Sequence, residues 1–60
     1  MTGLADQIRC IEREISLRKR VYPQLIERAK MSQRKATDEI ATMEAVLLTL
    51  REVDEKERLL

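Results

Sequence analysis

Residues 20–36 read RVYPQLIERAKMSQRKA, and this stretch decides the fold because it carries the one proline of the chain between two runs of helical periodicity. Pro23 has no amide proton for the carbonyl of residue 19, and its ring pushes Tyr22 away from helical geometry, so a kink or break is expected near residue 22. Gln24 to Lys30 then forms either a bent continuation of the first helix or a separate short helical turn. Ser32 is a strong N-cap for the second helical run, with Met31 placed to pack on Ala36 as a hydrophobic staple. The chain therefore turns between about residues 22 and 31.

Upstream of the turn, Leu4, Ile8, Ile11, Ile15, Arg18, Tyr22 and Leu25 are separated alternately by four and three residues, the repeat that keeps one stripe against a neighbouring helix. Arg18 is the polar member, and its aliphatic stem can lie along the stripe while the guanidinium reaches water. Thr2 or Gly3 caps this helix, and Asp6 in the opening turn complements the positive end of its dipole. Downstream, Ala36, Ile40, Met43, Leu47 and Leu50 repeat the spacing without glycine or proline, giving about 25 residues and about 37 Å of helix. The pattern predicts an all-α domain over residues 1–60, an antiparallel two-helix hairpin with helices at about 3–22 and 32–57 and a kink near Pro23.

Each helix also carries apolar residues outside its main stripe. At about 100° per residue, Cys10, Leu17 and Val21 form a second stripe on the first helix, while Val46, Val53 and Leu60 widen one side of the second. One neighbour does not cover both stripes. The surplus predicts a homodimer that closes into a four-helix bundle, with Cys10, Leu17, Val21, Val46 and Val53 as its interface.

Size and composition point the same way. A chain of 60 residues buries only about 60% of the surface its unfolded form exposes, so it needs staples, a metal, very good packing or self-association. One cysteine and no histidine leave neither an internal disulfide nor a zinc set. No metal or cofactor is expected. With one glycine, one proline and one aromatic residue, the composition is that of long helices or coiled coils rather than a sheet. No apolar run approaches the roughly 20 residues of a membrane span, and the N-terminus lacks the basic and apolar regions of a signal peptide, so a soluble, cytoplasmic protein is expected. A single thiol agrees with a reducing compartment.

The net charge is +1, but it is unevenly distributed. From Arg18 to Lys35 there are seven basic residues, Arg18, Lys19, Arg20, Arg28, Lys30, Arg34 and Lys35, against Glu27 alone. From Ala36 onward Asp38, Glu39, Glu44, Glu52, Asp54, Glu55 and Glu57 outweigh Arg51, Lys56 and Arg58. A hairpin then has a basic tip and an acidic open end. The basic tip is a candidate contact for nucleic-acid phosphates, since Lys and Arg drive such binding by counterion release. Specific reading needs more, and the chain lacks interleaved aromatics and a glycine-bearing turn between two short helices. A solvated helix end or electrostatic matching between antiparallel subunits explains the same charges.

No motif points to catalysis. Ser32-Gln33-Arg34-Lys35 has the Ser-x-x-Lys spacing of some acylating enzymes, but that chemistry needs a pocket and an oxyanion hole, and Ser32 already has a role as N-cap. Glu52, Asp54, Glu55 and Glu57 fan around a helix as a solvated face, with Glu52 and Lys56 spaced for an ion pair. Glu44, at the margin of the main stripe, is placed for a helix-to-helix ion pair. Cys10 reads as a small interface residue, where an intermolecular disulfide under oxidising conditions would be an artefact. Tyr22 packs at the elbow with its hydroxyl toward the edge.

The run Arg20-Val21-Tyr22-Pro23, then Ile26-Glu27-Arg28, Met31, and Ala36 through Glu39-Ile40-Ala41 to Met43-Glu44-Ala45-Val46, resembles a group of small proteins encoded in phages and prophages. The resemblance covers about residues 8 to 50. Members are short, helical and generally of unassigned function, so it implies a phage-related origin, a bacterial host cell and a host or phage protein as partner, with no catalytic residue to carry over. That group often carries a glycine at the elbow where this chain has Ala29, which implies a more helical turn here. The resulting expectation is a non-enzymatic, self-associating protein–protein interaction module; the alternative is an accessory nucleic-acid-binding protein using the basic elbow.

Overall fold

The computed structural model of the chain describes residues 2–59, and Leu60 of the predicted second stripe lies outside them. Two helices, α1 (Leu4–Glu27) and α2 (Gln33–Leu59), form an antiparallel hairpin with overall extents of 48 × 19 × 15 Å. It is a rod two helices wide and one helix deep. Among the described residues no strand occurs, and no helix is long and apolar enough to cross a membrane.

Helix α1 starts at an extended Gly3, whose carbonyl accepts the Gln7 amide at 3.1 Å. No side chain caps this end. Asp6, in the first turn, pairs instead with Arg9 one turn on. The helix does not break at Pro23 and runs to Glu27, so the segment after the proline is a continuation of α1 and not a separate turn. The elbow is correspondingly shorter than the sequence suggests, residues 28–32 in place of about 22–31. The local cost of proline is one lost hydrogen bond and a crowded carbonyl at residue 19. Pro23 is exposed, where water can take over that carbonyl, while its neighbours Tyr22 and Ile26 are half-buried toward α2. Packing on either side of the proline outweighs its local preference.

The elbow itself closes with a left-handed residue. Ala29 has φ 57°, its amide donates to the Ile26 carbonyl at 3.0 Å, and the Lys30 amide donates to the Leu25 carbonyl at 2.8 Å. These two bonds are the paired closure of a Schellman motif, which satisfies carbonyls that the helix end would otherwise leave open. The turn is therefore not more helical for having alanine at position 29; it keeps the geometry glycine would give and holds alanine in it. A left-handed alanine costs about 1–2 kcal/mol, partly offset because glycine loses more chain entropy on folding. Ala29→Gly is expected to stabilise the hairpin by about 0.5–1 kcal/mol and raise the thermal midpoint by several degrees in circular dichroism. An unchanged or lower midpoint would show that Ala29 is not strained.

Helix α2 begins as its sequence indicates. The Ser32 hydroxyl accepts the Lys35 amide at 3.1 Å and the Ser32 carbonyl accepts the Ala36 amide at 3.1 Å, which makes Ser32 the N-cap. From there α2 runs unbroken to Leu59. Its intrahelical ion pairs are Lys35 with Glu39 and Asp54 with Arg58, and not Glu52 with Lys56.

The core lies along the facing four-three stripes, and it is thin. Only Ile15, 6% exposed, and Ala36, 3% exposed, are buried among the described residues. Leu4, Ile8, Ile11, Tyr22 and Leu25 of α1 and Ile40, Met43, Leu47 and Leu50 of α2 are half-buried. Arg18 fits the stripe as its stem predicts: it is half-buried, and its guanidinium donates to the Glu14 carboxylate at 2.5 Å and the Glu14 carbonyl at 3.3 Å. The bond to Glu14 raises the Arg18 pKa above its ordinary value against the opposing effect of desolvation, so the group stays charged.

Candidate association face

Two ion pairs cross between the helices, Glu12 with Arg51 at 2.5 Å and Lys19 with Glu44 at 3.6 Å. The second uses Glu44 as its place beside the stripe suggests. Exposed pairs like these add little to stability, but they define the register and the side of the hairpin. Seven residues forward on α1, from Glu12 to Lys19, match seven residues back on α2, from Arg51 to Glu44. Leu17 and Val46, each two residues from the Lys19–Glu44 pair, therefore stand at one level, and Cys10 and Val53 stand together one heptad nearer the open end.

The same pairs separate the two faces. At about 100° per residue, Glu12 and Lys19 fall on one flank of the α1 stripe, and Arg51 and Glu44 fall on the same side of α2. Cys10, Leu17 and Val21 turn to the opposite flank of α1, and Val46 and Val53 turn to the matching flank of α2. The five side chains predicted from two separate stripes thus belong to one face of the rod. Leu17 is 39% exposed, Val46 44% and Val53 40%, Cys10 is exposed, and Val21 is half-buried. The half-buried Ile11, Met43 and Leu50 border them, and the Glu14–Arg18 pair on α1 and the Lys35–Glu39 pair on α2 interrupt the face with charge. This arrangement can cover a matching apolar surface.

The opposite face holds a groove of about 670 Å³ beside the elbow, walled by Tyr22, Pro23, Ile26, Ala36, Ile40 and Ala41, with Lys19 and Glu44 also lining it. Leu48, 59% exposed, lies on this side, outside both stripes and therefore missed by their periodicity. Counting i, i+3 and i+4 steps from Ala41 would have found it. Among the described residues no group of three or more His, Cys, Asp or Glu side chains is placed to hold a metal ion.

The seven basic residues of the elbow region do not form one free patch. Arg18 is tied to Glu14, Lys19 to Glu44 and Lys35 to Glu39, while Arg20, Arg28, Lys30 and Arg34 make no ion pair among the described residues. Arg20 lies on the far side of α1 from the stripe, and Asp38 and Glu39 share a surface indentation with Arg34 and Lys35. Carboxylates within the patch weaken its field toward phosphate. No family model, curated protein or solved structure matches this chain, so a reading of its function rests on the geometry of these faces.

Proposed function

We propose that this hairpin is a non-enzymatic protein–protein interaction module that self-associates through the face carrying Cys10, Leu17, Val21, Val46 and Val53. The observation that supports it most is the exposure of Leu17, Val46 and Val53 on one side of a chain that buries only Ile15 and Ala36 among its described residues. A second copy is the occupant that suits this face, since its own apolar surface has the same need to be covered. Closing the two rods on each other gives a four-helix bundle whose stripes acquire the second layer that a rod one helix deep lacks. The resemblance to phage and prophage proteins adds a bacterial cytoplasm as the setting and a host or phage protein as a further partner.

Solution mass by light scattering across a wide concentration range, with helicity followed in parallel, tests this reading. A dimer whose helicity falls on dilution is expected, because folding of so thin a core gains from association through mass action. A monomer that keeps full helicity at every concentration overturns it. If that monomer also binds DNA or RNA at low salt, releases it as salt rises and loses binding when Arg20, Arg28 and Arg34 become Ala, the basic elbow is the functional surface instead.

A further inference from the structure

We infer that the two copies pair antiparallel, about a two-fold axis at the Leu17–Val46 level, so that the basic elbow end of each lies against the acidic open end of the other. The inference rests on the self-association reading and adds its orientation and register. The line along α2 that carries Val46 also carries Lys35, Glu39, Val53 and Glu57, all within about 20° of it at 100° per residue. Lys35 lies eleven residues before Val46 and Glu57 eleven residues after it, each about 16 Å along the axis at 1.5 Å per residue. A two-fold axis through the Val46 level and perpendicular to the rod therefore brings Lys35 level with the partner's Glu57, and does so twice.

Apolar residues follow the same symmetry. Val21 lies four residues toward the elbow from Leu17, and Leu50 lies four residues toward the open end from Val46, so Val21 comes level with Leu50 on the neighbouring helix of the partner and with Arg13 on the facing one. Leu17 and Val46 meet their own copies at the axis. Glu39, on the Val46 line, reaches the level of the partner's Val53, and Lys35 holds its carboxylate at 3.8 Å along α2. In a parallel pair, by contrast, Arg28, Lys30, Arg34 and Lys35 meet the same four cations of the second copy, a like-charge arrangement that disfavours it.

A charge-swap cycle tests the orientation. Lys35→Glu occupies the third position of α2, where a glutamate completes a capping box with Ser32 and so offsets the loss of the Lys35–Glu39 pair within the hairpin. Lys35→Glu and Glu57→Lys should each weaken the dimer about three- to tenfold at low salt, and the double variant should return to within about twofold of the parent. The thiol supplies a second readout. Cys10 is one heptad from the axis, which puts the two thiol-bearing positions about 20 Å apart, far beyond the roughly 4.4–6.8 Å between the Cα atoms of a disulfide. Mild oxidation of the parent dimer is expected to give no covalent dimer, while Cys10→Ser with Leu17→Cys gives one. A parent dimer that cross-links through Cys10, or a double charge variant no tighter than the singles, overturns the antiparallel register and leaves self-association standing. A monomeric parent chain overturns self-association itself.

Discussion

Ile15→Asp is expected to abolish the helical circular dichroism of the chain at 25 °C at any concentration. Ile15 is one of two buried residues among those described, and it sits midway along α1 facing α2, while the cations one turn on, Arg18 and Lys19, are already held by Glu14 and Glu44. Removing the buried side chain costs about 2–5 kcal/mol by itself, and burying a charge without a partner costs several more unless the carboxyl takes up a proton. Domains of this length have a total stability of about 3–9 kcal/mol, so the substitution removes most or all of it. Leu47→Asp, on the facing stripe, should be milder, because Leu47 is half-buried and aspartate there keeps part of its hydration. Retained helicity in Ile15→Asp would show that the facing stripes are not the core.

Ile15 illustrates what a four-three count reads well. The spacing places Ile15 and Ala36 on inward stripes, and Ser32 announces the start of α2 through chemistry that is local and therefore visible in the sequence. Pro23 is the reverse case. Its rule is also local, and it loses to the packing of Tyr22 and Ile26 against α2, which depends on residues ten or more positions away. Ala29 was illegible for a different reason. A left-handed residue is announced by glycine or asparagine, and alanine sends no such signal, so only the backbone reveals it. The association face lay between these extremes. Each secondary stripe is visible from its own helix, but that Leu17 and Val46 share a side and a level depends on the inter-helix register, which the Glu12–Arg51 and Lys19–Glu44 pairs report and no periodicity does.

That register makes Leu17→Glu the substitution with the largest expected effect on assembly and little effect on the hairpin. Leu17 is 39% exposed, so in an isolated hairpin a glutamate there stays solvated, and α1 tolerates it because glutamate is a good helix former. In the proposed dimer the same position meets its own copy at the axis. Covering the exposed part of Leu17 contributes about 1 kcal/mol per copy, and placing two carboxylates against each other in its stead adds repulsion and desolvation, for a total loss of roughly 3–5 kcal/mol. That corresponds to a dissociation constant raised by two to three decades or more. At high protein concentration the variant should scatter as a monomer where the parent is a dimer, with a lower thermal midpoint. At concentrations far below the parent's dissociation constant, the helicity of the two should converge, because only the dimer distinguishes them. This convergence separates an interface residue from a core residue: Ile15→Asp lowers helicity at every concentration, whereas Leu17→Glu does so only where the parent is assembled. Unchanged mass in Leu17→Glu would move the association surface away from the Leu17–Val46 face, and the groove walled by Tyr22, Pro23 and Ile26 would then be the apolar surface of the hairpin that still needs a cover.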